Sequence, residues 1–190
     1  LKKLKSLFFT SNSKDLIDTN VFIVAVPTPI FKNKKPDLSL LTKATRIVGK
    51  FLKPGNIVIY ESTVYPGTTE EYCVPILEDI SGLRYLYSNN KHKNINNGFY
   101  CGYSPERINP GDKRRKISKI TKIVSGSNAH ALNLIDKLYK SIIKKGTHRA
   151  SSIRVAEAAK IIENTQRDLN ISLMNEISII FNKIKIDTKE

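Results

Sequence analysis

Long apolar runs, paired cysteines and clustered histidines are all missing from this chain of 190 residues. No stretch approaches the roughly 18 consecutive apolar residues that a membrane-spanning helix requires. The opening Leu1-Lys-Lys-Leu-Lys-Ser-Leu-Phe-Phe-Thr10 begins with cations, but its apolar part is too short and broken for a secretory signal. No membrane partner is expected, and the cytoplasm is the default location. The two cysteines, Cys73 in a helical stretch and Cys101 in a β-like run, lack C-x-x-C spacing and read as small buried hydrophobes. His92, His130 and His148 are dispersed, so no metal site is expected. Acidic residues are scarce, 17 against 32 Lys and Arg, for a net charge of +15. Such a charge taken alone suggests nucleic acid. The excess is mostly Lys scattered among Ile and Asn, however, with denser patches at Lys113-Arg-Arg-Lys116 and Lys144-Lys145. No nucleic-acid partner is therefore expected, although a basic nucleic-acid-binding protein stays open as an alternative. A basic surface also suits smaller anionic ligands.

What is present is the alternation of an α/β fold. Hydrophobic content of 40% is ordinary, and the length suffices for a real core. Asn20-Val-Phe-Ile-Val-Ala-Val26 is an uninterrupted apolar run that reads as a central parallel strand, opening at Pro27-Thr-Pro29 onto a loop. Asp37 caps a helix predicted over 38–53 and stopped by Pro54-Gly55. A strand over 56–60 exits into Glu61-Ser-Thr-Val-Tyr-Pro-Gly67, and a helix follows over 68–79, with Pro75 a kink or early turn. Strands over 99–103 and 121–125, a helix over 129–142, a short strand over 147–150 and a long helix from about 152 to 184 complete the series. Strand and helix alternate as in βαβ units, which predicts a doubly wound sheet. Residues 87–98, rich in Asn and Lys and without period, read as a disordered solvent loop.

Within the long helix the polar residues are patterned. Lys160, Asn164, Asp168 and Ser172 recur every four positions and share one face. Ala156, Ala159, Ile162, Leu169, Leu173, Ile177 and Ile180 form the apolar one. Such a row is either a solvated surface or, with its cation, amide and carboxylate, a set able to bind and activate a polar substrate. In open α/β sheets ligands bind beyond the carboxyl ends of the strands. The exit loops Val26-Pro-Thr-Pro29, Glu61-Ser-Thr-Val64 and Ser104-Pro-Glu-Arg107 each place a hydroxyl or a charge there.

The segments Tyr103-Ser-Pro-Glu-Arg-Ile-Asn-Pro-Gly-Asp112 and Glu157-Ala-Ala-Lys-Ile-Ile-Glu-Asn-Thr-Gln-Arg-Asp-Leu-Asn-Ile-Ser-Leu-Met-Asn-Glu176 together resemble the UDP-glucose/GDP-mannose dehydrogenase family. The wording is nearest its UDP-N-acetylhexosamine 6-dehydrogenase branch, and the likeness runs from about Val21 to Thr188. The resemblance implies a Rossmann-like sheet followed by a long central helix. It also implies NAD as cofactor and a UDP-sugar as substrate, whose C6 alcohol is oxidised in two steps through a cysteine-bound thioester, for surface polysaccharide precursors. Residue by residue, Thr28 and Thr63 resemble the family's dinucleotide-contacting positions, with Thr63 also helping to hold the catalytic water. Glu106 resembles the base of thioester hydrolysis, and Arg107 lies beside it at the sugar. Lys160 and Asn164 resemble the pair that steadies an oxyanion, which suits a cation and an amide one helical turn apart.

Two features of the family's pattern are absent. No G-x-G-x-x-G loop precedes a helix, and neither Cys73 nor Cys101 lies in the context of the family's nucleophile. The expected organisation is therefore an interior fragment. In it, 1–150 is an incomplete NAD-binding domain lacking its first βαβ unit, and 151–190 is a dimerisation helix opening a truncated middle domain. Such a fragment is not expected to be active alone, and without the first unit its sheet exposes an edge and an apolar face. A non-catalytic dimerising remnant is the second alternative, and a homodimer is expected of the complete enzyme.

Overall fold

The computed structural model describes residues 7–87, 97–106 and 120–188. Arg107, the basic Lys113–Lys116 patch and most of the loop expected over 87–98 lie outside them. The described elements are a short 3-10 turn (Ser13–Leu16), β1 (Val21–Val24), α1 (Ser39–Phe51), β2 (Ile57–Tyr60), a wide π-type turn (Thr68–Cys73), α2 (Val74–Ser81), β3 (Arg84–Tyr85), β4 (Gly98–Tyr103), β5 (Lys122–Gly126), α3 (Ala129–Lys140), β6 (Thr147–Arg149) and α4 (Ile153–Lys183). The strands follow the order β1-β2-β4-β5-β6, with β3 paired beside β4.

β1, β2 and β4 are parallel, so all three release their chains at the same edge. β5 runs antiparallel to β4, with Gly102 opposite Gly126 and Tyr103 opposite Ser125. The sequence places these two strands in succession with no helix between them, and the second runs against the parallel set. As in any antiparallel pair, β5 begins at the edge where β4 ends. The reversal starts β5, and with it Lys122, at the carboxyl edge of the parallel strands.

Period-2 alternation divides the strand residues between two cores. Val58 and Tyr60 of β2 with Phe99, Cys101 and Tyr103 of β4 meet α1, α2 and the start of α4, through Leu41, Val48, Leu77, Ile153 and Ala156. Ile57, Ile59 and Tyr100 face the other way, against Ala131, Ile135 and Tyr139 of α3. Helices thus cover both faces, and both cysteines are buried. Gly102 is required where α3 crosses β4: a Cβ there would lie 2.3 Å from Ile135 Cδ1 and 2.6 Å from the Ser125 carbonyl. On the outer strand β1 the same alternation leaves Val21 and Ile23 exposed.

Helix ends follow their local chemistry. Ser152 and Asn128 cap α4 and α3 through their side-chain oxygens. The Asp37 carboxylate accepts from the Ser39 N–H just before α1. Pro75 is where the expected single helix over 68–79 departs from regularity. It has no N–H, sits in the first turn of α2, and the turn before it is widened, with the Val74 N–H reaching the Thr69 carbonyl. α4 packs on the sheet only through its first turns: Ile153, Ala156 and Glu157 are buried. Ile162, Leu169, Leu173 and Ile180 of the predicted apolar face are exposed, because the helix runs on past the sheet.

Candidate functional site

Three exit loops are stitched together at the carboxyl edge. The Ser62 hydroxyl donates to the Val26 carbonyl at 2.6 Å, and the Thr28 hydroxyl donates to the Thr63 carbonyl at 2.6 Å. The Tyr103 hydroxyl reaches the Ser62 carbonyl at 3.1 Å. Thr28 and Thr63 are therefore in direct contact, Thr28 half-buried and Thr63 exposed. Glu106 ends the described part of the third loop with its side chain exposed. Lys160 of α4 donates its Nζ to the Glu106 main-chain carbonyl at 2.6 Å, so the link runs to the backbone of that residue. Asn164 follows one turn later on α4 and is exposed.

Beneath this edge lie two charged groups that the spacing of polar residues does not reveal. The first is an ion pair. Lys122 Nζ sits 2.9 Å from Glu61 Oε1, with side-chain exposures of only 8% and 20%. Lys122 also donates to the carbonyls of Ser104 and Pro105, each at 3.3 Å, and lies 4.8 Å from the centre of the Tyr139 ring. Tyr139 donates its hydroxyl to Glu61 at 2.5 Å; burial, then the neighbouring carboxylate, pushes its ionisation well above the usual range. A lysine in the β-like run Thr121-Lys-Ile-Val-Ser125 is the sole sequence signal of this network.

The second is Glu157, buried completely at 0% exposure. Its carboxylate accepts from the Gly67 N–H at 2.6 Å, the Thr69 N–H at 2.9 Å and the Thr69 hydroxyl at 2.7 Å. Burial raises its proton affinity above the ordinary carboxylate range, while the Thr69 and Gly67 donors pull the other way. The signal in the sequence is a charge amid Ala156, Ala158 and Ala159.

The sheet and helices that carry these loops share their fold with Rossmann-like dehydrogenases. The fold matches a UDP-D-ManNAc dehydrogenase structure from Pyrococcus horikoshii with a TM-score of 0.82 at 36% identity, covering 95% of this chain and 40% of that one. A GDP-mannose dehydrogenase structure from Pseudomonas aeruginosa shares the fold with a TM-score of 0.80 at 23% identity, covering 93% of this chain and 39% of that one.

Residues 2–143 match the NAD binding domain, and residues 154–190 the central domain, of the UDP-glucose/GDP-mannose dehydrogenase family, to which this chain belongs. It is 59% identical over 189 residues to a UDP-N-acetyl-D-glucosamine 6-dehydrogenase of Pseudomonas aeruginosa and 54% identical over 189 residues to one of Salmonella typhi. In both cases the match takes in 100% of this chain and 42% of the relative. The chain thus spans less than half the length of the curated relatives it matches. No helix among the described residues is long and apolar enough to cross a membrane.

Proposed function

We propose that these residues form part of an NAD-dependent enzyme that oxidises the C6 alcohol of a UDP-N-acetylhexosamine to a carboxylate, serving surface polysaccharide synthesis. One observation carries the reading. The edge where Thr28, Thr63, Glu106 and Lys160 gather is the ligand-binding edge of such a sheet, in a chain 59% identical throughout to a dehydrogenase of that kind. The hydroxyl-bearing loops after β1 and β2 suit the polar part of a dinucleotide, while no G-x-G-x-x-G loop occurs among the 190 residues to cradle a pyrophosphate. NAD, when bound, supplies the hydride acceptor. Four electrons leave the alcohol on its way to the acid, which corresponds to two NADH per sugar.

In this reading Thr28 and Thr63 hold the dinucleotide side of the cleft. Lys160 and Asn164, one turn apart, donate toward the oxygen that gains charge at C6. Glu106 takes a proton from the hydrolytic water that Thr63 helps to hold, and Arg107 serves at the sugar. Cys73 and Cys101 take no part, since both are buried in the core between the sheet and its helices. In this reading neither is the nucleophilic thiol, and the 190 residues alone do not turn over. Two copies pair along α4, where Ile162, Leu169, Leu173 and Ile180 are exposed. In this reading the enzyme works in the cytoplasm.

The test is a hybrid. Residues 1–190 replace the corresponding stretch of the Pseudomonas aeruginosa relative, and NADH is followed by absorbance with UDP-N-acetylglucosamine. Two NADH per sugar are expected. A hybrid that folds but forms no NADH with this sugar or with UDP-N-acetylgalactosamine contradicts the reading.

A further inference from the structure

α4 holds both neighbouring exit loops within its first two turns. Arg154, Glu157 and Lys160 recur every three positions: Arg154 pairs with Glu71, Glu157 accepts from Gly67 and Thr69, and Lys160 donates to the Glu106 carbonyl. The outer two contacts involve an exposed pair and a loop backbone, and only Glu157 is wholly buried. A buried carboxylate is costly unless donors satisfy it. Here three donors from one loop do so, and the N–H groups concerned stand at the start of a helical turn, where backbone donors lack partners of their own. Neither side has a ready substitute for the other.

The sequence positions of these contacts fix their consequence. Gly67 lies four residues after Thr63, and Lys160 lies three residues after Glu157, about 4.5 Å further along the helix axis. We infer that Glu157 is a positioning residue for the chemistry proposed above: by locking α4 to the loop that follows β2, it sets Lys160 and Asn164 against Thr63. It touches no reacting atom and acts through Lys160. The kinetic part of the inference rests on the dehydrogenase reading; the structural part does not. A misplacement of about 1 Å in a catalytic group can cost roughly 10²-fold in rate, so loss of this lock is expected to appear in kcat.

Glu157→Gln, Thr69→Val and Ile153→Ala are compared in the hybrid enzyme, with amide exchange at Gly67 and Thr69 followed in the 190-residue chain. Gln keeps the shape but turns an NH2 group toward donors, and Val removes only the Thr69 hydroxyl bond. Ile153→Ala removes buried apolar volume beside Glu157 while leaving the lock intact. The expected result is a fall in kcat of about 10- to 100-fold for Glu157→Gln and a few-fold for Thr69→Val, from the rate sensitivity to misplacement. The sugar KM stays within about threefold, as for an interaction acting on the transition state. Ile153→Ala should lose melting temperature without that loss of kcat. Unchanged kcat in folded Glu157→Gln overturns the inference, as does an equal loss in Ile153→Ala. If Glu157→Gln does not fold, full kcat in Thr69→Val overturns it. If the unsubstituted hybrid is inactive, the dehydrogenase reading fails instead, and the lock is judged by exchange: slow Gly67 and Thr69 amides sustain it, fast ones overturn it.

Discussion

Substituting Lys122 by Met removes one member of the ion pair beneath the exit loops. At an effective dielectric of about 20, unit charges separated by the observed 2.9 Å attract by roughly 6 kcal/mol. Desolvation of two largely buried groups offsets much of that, so the net value of the pair is far smaller. Breaking it from one side is another matter, because Glu61 keeps its charge in a site 20% exposed and the Ser104 and Pro105 carbonyls lose a donor. The expected cost of Lys122→Met is about 3–5 kcal/mol. In a domain of this size each kcal/mol moves the melting temperature by about 2–4 °C, giving a fall of roughly 6–20 °C. Glu61→Gln added to Lys122→Met removes the stranded charge and leaves Tyr139 an acceptor, and should return about 2 kcal/mol. Urea titrations of the single and double variants measure both quantities. A Lys122→Met cost below about 1 kcal/mol, the range of a surface pair, refutes the reasoning, as does simple additivity of the two substitutions.

Two further predictions concern titration. Burial pushes the Cys73 thiol to about 11 and Cys101 well above its ordinary value, so at pH 8 only about 0.1% of Cys73 is thiolate; a thiol reagent should label neither until denaturant is added, and rapid native labelling contradicts the packing. Asp136 is pushed up by burial, but its hydrogen bonds from Lys140 and Thr147 and the charges of Lys140 and Arg149 win, holding it below the ordinary carboxylate range. A carboxylate lowered in the folded state contributes stability above its unfolded value and loses it as pH falls through the folded one. Asp136→Asn should therefore melt below the parent at pH 6–7, with the gap closing from about pH 4 downward; a gap independent of pH contradicts the assignment.

The order of strands and helices was legible because apolar runs and periods are local properties. β2 and β4 are continuous apolar runs, and Pro54-Gly55 and Ser152 mark helix boundaries directly. The direction of β5 was not legible, since it depends on where the preceding segment returns to the sheet. The widened turn before Pro75 needed the backbone itself, although Pro75 marked the place. Thr28, Thr63, Glu106 and Lys160 could be nominated from loop position and resemblance. The supports beneath them could not, because Glu61–Lys122 and Glu157–Thr69 are contacts across 61 and 88 positions, and a single charge in an apolar stretch does not announce its partner. The exposed Ile162 shows the converse: a helical apolar face in the sequence does not say what will cover it.

The most direct measurement of the central claim is turnover of the hybrid enzyme carrying Lys160→Ala. Loss of one preorganised donor to a developing oxyanion should lower kcat by about 10²- to 10³-fold. The same substitution, at a half-buried position on the start of α4, removes among others the bond to the Glu106 carbonyl and should change stability by about 1 kcal/mol. A folded enzyme with collapsed turnover is the predicted result. Full turnover in the Lys160→Ala enzyme would show that the polar row on α4 is a solvated face and contradict the account.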